Sequence, residues 1–413
     1  MEPRLIINIV LILLVAWVLG DLFQRVRLPR LLGELLAGLV LGPPLLGWVQ
    51  PREAMTVLAD LGIFFLMFYS GMEMDPHELL EHFWVSVAVA VGGFFLPFIL
   101  GYGVARLFGA TLMQALFMAM GLSVTALAVG ARVLQDMEIY HSKVGHIIIG
   151  AAIVDDILAL VSFSVLMGLA KTGEVNFFKI ALLVAEVAAF FGGTILVGHF
   201  LIPRFTRRLK DQEAKGFTFA LMAALIMGFL AELVGLHLII GAFLAGQFVR
   251  KEVVEPELYQ HLHDRFFNII YGFLGPIFFV SLSFHVNLNL SGRDWWFLAA
   301  VIGVAVVGKV VGCALPGLIM RRNWQEAAVI GLGMNGRGAV ELIVAKAVLL
   351  LSYGLMARGA ITAPLLTQSQ FTILILMAFI TTFITPLSLR AAVPSLCASA
   401  DRDFCELWRN NSN

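Results

Sequence analysis

Long apolar runs recur from one end of the chain to the other, separated by short polar stretches. Thirteen such segments are expected, at roughly 5–22, 31–49, 54–71, 84–107, 112–134, 143–170, 177–203, 215–234, 237–250, 266–287, 295–320, 325–350 and 369–390. All but the short ninth are close to or above the ~20 residues a helix needs to cross a bilayer. In lipid, backbone polar groups must be satisfied within their own segment, so the pattern predicts an all-α polytopic membrane protein. Basic residues follow the odd-numbered segments: Arg25, Arg27 and Arg30 after the first, Arg204, Arg207, Arg208, Lys210 and Lys215 after the seventh, Arg250 and Lys251 after the ninth, Arg321 and Arg322 after the eleventh, and Arg390 after the thirteenth. With thirteen crossings these loops share one side, which puts the N-terminus outside and the C-terminus in the cytoplasm.

Two segments carry interruptions. The fifth contains Gly121-Leu122-Ser123-Val124-Thr125, whose hydroxyls compete for backbone hydrogen bonds; the twelfth contains Gly331-Leu332-Gly333-Met334-Asn335-Gly336-Arg337-Gly338. Glycine is about 1 kcal/mol worse than alanine in a helix, so the second stretch is expected to unwind. Segments one to six and eight to thirteen form two sets of six in opposite orientation, and the interruptions fall fifth in each. Paired broken helices in inverted halves point to a transport site near the midplane.

Composition narrows the class. The 413 residues are 60% hydrophobic and only 14% charged, against about 25% charged in soluble chains. A net charge of zero without a long basic run argues against a nucleic-acid partner. Cys313, Cys397 and Cys405 have no metal-ligand spacing. The single cation before the first segment, Arg4, and the lack of a small-residue cleavage site fit a retained first helix. After Arg390 a short tail is expected, too small for a folded regulatory module.

Asp155 and Asp156 sit in the middle of the sixth segment, where each carboxylate costs about 2.5–3.5 kcal/mol to insert. Packing does not require two there, so they read as functional. Lys309 lies mid-way along the eleventh segment, too deep to snorkel, and an ion pair with one aspartate is its natural arrangement. Adjacent aspartates diverge by about 100° around a helix, so one can pair with Lys309 while the other faces a cavity as a proton or small-cation site. Ser123 and Thr125, with neighbouring carbonyls, are candidate extra ligands for a hard cation; ordinary back-bonding within the helix is their alternative role. Arg337 and Glu341, spaced i,i+4, read as a structural ion pair in the broken helix. Glu34, Glu73 and Asp75 lie near segment ends and read as interfacial, as does His146. Glu186 and Glu232 lie deeper, with no identifiable partner. An intramembrane aspartyl protease needs aspartates converging from two helices, which adjacent residues do not supply, so no enzymatic activity is expected. A channel or uncoupled sensor is the remaining alternative class.

These residues resemble the monovalent cation:proton antiporter superfamily, in its bacterial branch of Na⁺/H⁺ antiporters and the membrane domains of K⁺ efflux systems. The likeness rests on the ordered set Gly33-Glu34-Leu35-Leu36-Ala37-Gly38-Leu39-Val40-Leu41-Gly42-Pro43, Ser123-Val124-Thr125-Ala126, Asp155-Asp156, Gly241-Ala242-Phe243-Leu244-Ala245-Gly246, Pro276-Ile277-Phe278-Phe279, Lys309, and Gly336-Arg337-Gly338 with Glu341. The resemblance implies a homodimer in the cell (inner) membrane, with dimerisation regions at 1–80 and 215–290. Core ion-transport regions are implied at 81–172 and 291–392, joined by a linker helix at 173–214 and followed by a tail at 393–413. It implies that Asp156 carries the ion (Na⁺ or a proton) and that Asp155 pairs with Lys309. It further implies alternating access and electrogenic exchange of two protons per Na⁺ (or Li⁺), with the transported ions as substrates and no cofactor. The K⁺ efflux members typically have glutamine at the first aspartate and a cytoplasmic nucleotide-binding domain. Asp155 and the short tail favour Na⁺; a K⁺/H⁺ antiporter, or a K⁺ efflux membrane domain without its regulatory domain, is the alternative.

Overall fold

The computed structural model describes residues 3–26, 28–73, 76–172, 177–197, 213–234, 236, 238–249, 256–284, 286, 290–320, 323–337 and 363–397, with isolated positions between 345 and 356. Among the described residues the chain is all-helical, and nine helical stretches are long and apolar enough to cross a membrane, with Leu112–Asp136 and Glu257–Ser283 each counted as one. In chain order the helices are α1 (Pro3–Arg25), α2 (Arg30–Leu41), α3 (Glu53–Glu73), the short α4 (Pro76–Glu81), α5 (Phe83–Leu107), α6 (Leu112–Ser123), α7 (Leu127–Asp136) and α8 (Lys143–Thr172). They continue with α9 (Phe177–Leu196), α10 (Glu213–Leu233), α11 (Leu238–Gly246), α12 (Pro256–Ile269), α13 (Gly275–Ser283), α14 (Gly292–Ile319), α15 (Trp324–Gly333) and α16 (Gln368–Cys397).

Local chemistry sets several boundaries. Thr111 and Gln114 form a reciprocal capping box that starts α6, and Ser291 with Asp294 does the same for α14. Pro276 has no N–H for the carbonyl four residues back, and α12 and α13 are joined just before it by one π-turn, Ile270–Leu274. Three boundaries differ from the hydropathy pattern. The second segment is helical only to Leu41, where Gly42 turns the chain. The tenth starts ten residues early, at Pro256, because Pro256–Ile269 is amphipathic rather than apolar. The last continues through Pro394 to Cys397, into the expected tail.

The helices pack in two groups. In the first, α1 lies on α2, α13 on α2 and α3, α11 on α3, and α10 on α11. In the second, α5 packs on α14, α6 and α8; α14 packs on α15 and α16; and α15 packs on α16 and α8. Small residues allow the closest approaches: a Cβ at Gly312 of α14 would overlap the Gly92 carbonyl of α5, and one at Gly71 of α3 would overlap the Phe243 carbonyl of α11. α7 belongs to the second group through α8 and also touches α2 and α3, so it sits on the seam.

Candidate ion-binding site

The site is built where two helices stop half-way. Ser123 folds its hydroxyl back onto the Ala119 carbonyl at 2.8 Å, and Val124, Thr125 and Ala126 then run extended before α7 begins. On the other side α15 stops at Gly333, and Met334–Arg337 continue as non-helical chain. The two extended stretches meet, with Ala126 N–H donating to the Gly336 carbonyl at 3.0 Å. Both interruptions in the sequence are therefore breaks in the structure, although the chain from Gly338 to Val344 lies outside the described residues.

Breaking a helix inside a membrane strands its terminal backbone groups, and charged side chains meet them here. The carbonyls at the end of α6 receive two cations. Lys309 Nζ donates to the Ser123 carbonyl at 2.5 Å, and Arg337 Nη1 donates to Gly121 at 3.2 Å and Val124 at 3.0 Å. The Thr125 N–H, just ahead of α7, donates to Asp155 Oδ2 at 2.7 Å. Cations thus lie at the C-terminal end of α6 and an anion at the N-terminal end of α7, which is the arrangement helix dipoles favour.

Asp155 and Asp156 have separate surroundings, as the divergence of neighbouring helix positions requires. Asp155 is fully buried, and both its oxygens lie 3.3 Å from Lys309 Nζ, itself fully buried. Asp156 is 8% exposed, and its Oδ1 has no hydrogen-bond partner among the described residues. It lines a cavity of about 10 Å³ with Ile63, Ala126, Val129, Ile239 and Phe278, at the lower edge of what one water needs. The Thr125 hydroxyl is likewise buried without a partner among the described residues and is available as a ligand. Ser123 contributes its carbonyl to Lys309, while its hydroxyl is spent within α6. Arg337 holds the crossing through backbone groups, with its own N–H on Thr382 at 3.1 Å and its carbonyl accepting from the same hydroxyl. Glu341, expected to pair with Arg337, lies outside the described residues.

Three polar residues in the seam and at the crossing have no role in the hydropathy pattern. Glu34, expected at an interface, is fully buried and lies 3.5 Å from the buried Arg132. Asn335, at the crossing, is 1% exposed, and neither its amide N nor its O has a partner among the described residues. Arg132 carried a visible signal: a lone cation inside an apolar segment, with Asp136 four residues on. His146, also expected to be interfacial, is buried.

Residues 9–393 match the family model described as sodium/hydrogen exchanger, transmembrane. The chain is 31% identical over 388 residues to the Na(+)/H(+)-K(+) antiporter GerN of Bacillus cereus, covering 94% of this chain and 95% of that one. It is 29% identical to the high-affinity Na(+)/H(+) antiporter NhaS3 of Synechocystis, covering 90% of this chain and 86% of the relative. Among solved structures, the sodium proton antiporter MjNhaP1 of Methanocaldococcus jannaschii superposes with a TM-score of 0.75 at 16% identity, covering 97% of this chain and 100% of that one. That likeness is one of fold.

Proposed function

The chain belongs to the transmembrane sodium/hydrogen exchanger family, and from that premise we propose that it exchanges protons for Na⁺ or Li⁺ at Asp156 by alternating access. Family membership makes it a multi-pass membrane transporter of the cation/proton exchange class. The observation that carries the finer reading is the contrast between the two carboxylates. Asp155 is neutralised by Lys309, whereas Asp156 lines a cavity with one oxygen unpartnered among the described residues.

With Asp155 paired to Lys309, an ionised Asp156 adds one negative charge, which either H⁺ or Na⁺ cancels. A site with Asp156 protonated or cation-bound crosses a low-dielectric seam at lower cost than the empty one. This forbids uncoupled leak and enforces exchange. Thr125 and the carbonyls of the extended stretches would complete an oxygen shell for a hard cation. If Asp156 worked alone, one H⁺ would exchange for one Na⁺ with no net charge moved. Electrogenic exchange needs a second proton per cycle, which Lys309 would shed when Asp155 turns from it to the cation. In this reading the α5–α8 and α14–α16 group moves as the core. The group built on α1–α3 and α10–α13 is the fixed scaffold and pairs across the exposed apolar face of α1, which includes Ile7, Val10, Leu14 and Trp17.

K⁺ is the second reading. It is favoured by the relative whose name carries both Na⁺ and K⁺. One assay separates the readings. Purified protein in liposomes with an acid interior and acridine orange should show dequenching on external Na⁺ or Li⁺ in a saturable way, and little on K⁺. Asp156→Asn should abolish the response with all three cations. Dequenching by that variant at the wild-type rate would overturn the assignment.

A further inference from the structure

One face of α7 is polar where its surroundings are apolar. Arg132, Gln135 and Asp136, at i, i+3 and i+4, project together, and each bonds across the seam to the other helix group. Arg132 is fully buried, lies 2.9 Å from Asp136 and 3.5 Å from Glu34 of α2, and stacks its guanidinium 4.3 Å above the Tyr271 ring. Asp136 also accepts from the Leu31 N–H of α2 at 3.4 Å. Arg30 lies 3.6 Å from Glu34 as well. Gln135 donates to Ser70 at 3.3 Å and Glu73 at 3.1 Å on α3, and accepts from the Tyr271 hydroxyl. Glu73 is held in turn by Tyr69 at 2.8 Å and His263 at 3.2 Å. Just beyond α7, the Tyr140 hydroxyl donates to the Ser70 carbonyl at 2.6 Å. At the same end Arg390 of α16 donates to the Val26 carbonyl at 2.8 Å.

The cross-seam bonds cluster at this end. Elsewhere along the seam, beside Arg337 and Thr382, Leu35 and Leu282 face Ile375, Ala378 and Phe379 across a cavity of about 20 Å³. Apolar surfaces slide past one another without losing directional bonds. Parting α7 from α2 breaks the buried Arg132–Glu34 contact and leaves the buried Glu34 with Arg30 alone, at 3.6 Å.

We propose that the Arg132–Gln135–Asp136 face of α7 is a latch that locks the moving group to the scaffold on the side of the 137–142 turn, and that its release is an obligatory step of each cycle. The latch rests on the alternating-access reading, but its test does not depend on transport. Replace Cys313, Cys397 and Cys405 by alanine, and place a single reporter with Ala128→Cys, a buried position lining the cavity beside Asp156. Label it with a membrane-impermeant maleimide in sealed vesicles of each orientation. With the latch intact, labelling from the side of the 137–142 turn should be slow. Glu34→Gln should accelerate it about tenfold from that side alone. Tyr271→Phe, which removes one hydroxyl and no charge, should accelerate it two- to threefold. Should Glu34→Gln fail to fold, Tyr271→Phe decides.

Wild-type labelling rates in the folded variants would overturn the latch, and so would equal acceleration from both sides, which marks general loosening. If acceleration is one-sided but the wild-type protein exchanges no cation in liposomes, the latch stands and the exchanger assignment falls. Normal exchange with unchanged labelling would instead remove the latch and leave the exchanger assignment standing.

Discussion

Neighbouring carboxylates on one helix turn are set apart here by what faces them. Asp155 meets a lysine and a backbone N–H, and Asp156 meets a cavity. Lys309 stabilises the fold only as half of a pair, so its removal leaves Asp155 buried and uncompensated. Breaking a buried pair by removing one partner costs about 3–5 kcal/mol. Lys309→Gln should therefore lower the melting temperature in detergent by more than Asp156→Asn does, since Asp156 has a carboxylate oxygen without a bond to lose. The same variant should move less charge per turnover on a solid-supported membrane. Equal melting temperatures with unchanged currents would count against a paired lysine. These three residues stand out in the sequence because charge inside an apolar run is scarce and expensive. Glu34 and Arg132 are as deeply buried, but their pairing was not legible. Hydropathy places a residue along the membrane normal and not around the helix axis, and only the packing of α2 on α7 turns a segment-end glutamate inward.

Among the elements, the broken helices were the most legible. Four glycines in eight residues weaken a helix by about 1 kcal/mol each, and the backbone groups freed at Gly336 and Arg337 are taken up by the Ala126 N–H and the Thr382 hydroxyl. The break between α6 and α7 was less so, because Ser123 and Thr125 would also sit comfortably inside a helix. The start of α12 was illegible for a different reason: its exposed polar face masks its apolar one from any averaged hydropathy window. Close helix contact is testable at the glycines. A Cβ at Gly312 would overlap the Gly92 carbonyl, while one at Gly303 of the same helix meets nothing within 4 Å. Gly303→Ala should leave yield and monodispersity unchanged. Gly312→Val should force α5 and α14 apart, costing at least the ~1–3 kcal/mol of an overpacked core and more because the obstacle is backbone. Size-exclusion profiles of the two variants make the comparison. A monodisperse Gly312→Val protein melting at the wild-type temperature would show that the contact is slack.

At the scale of the whole molecule, two helix groups meet along a seam that contains Asp156 and its cavity, and the proposed exchange there would make pH dependence a property of the site itself. A carboxylate that carries either a proton or a cation cannot hold both, so the two ligands compete by mass action. If Asp156 is the shared site, as proposed, lowering the pH should fill it with protons and raise the apparent KM for Na⁺, by up to about tenfold per pH unit once protonation dominates. The maximal rate at saturating Na⁺ should change little over the same range, because enough cation displaces the proton. A separate sensor that closed the transporter in acid would behave differently: it would lower the maximal rate and leave KM alone. Initial dequenching rates against Na⁺ concentration at several pH values distinguish the two. A fall in maximal rate at constant KM would move pH control away from Asp156 and onto groups such as Glu73, which accepts from Gln135 across the seam and lies 3.2 Å from His263.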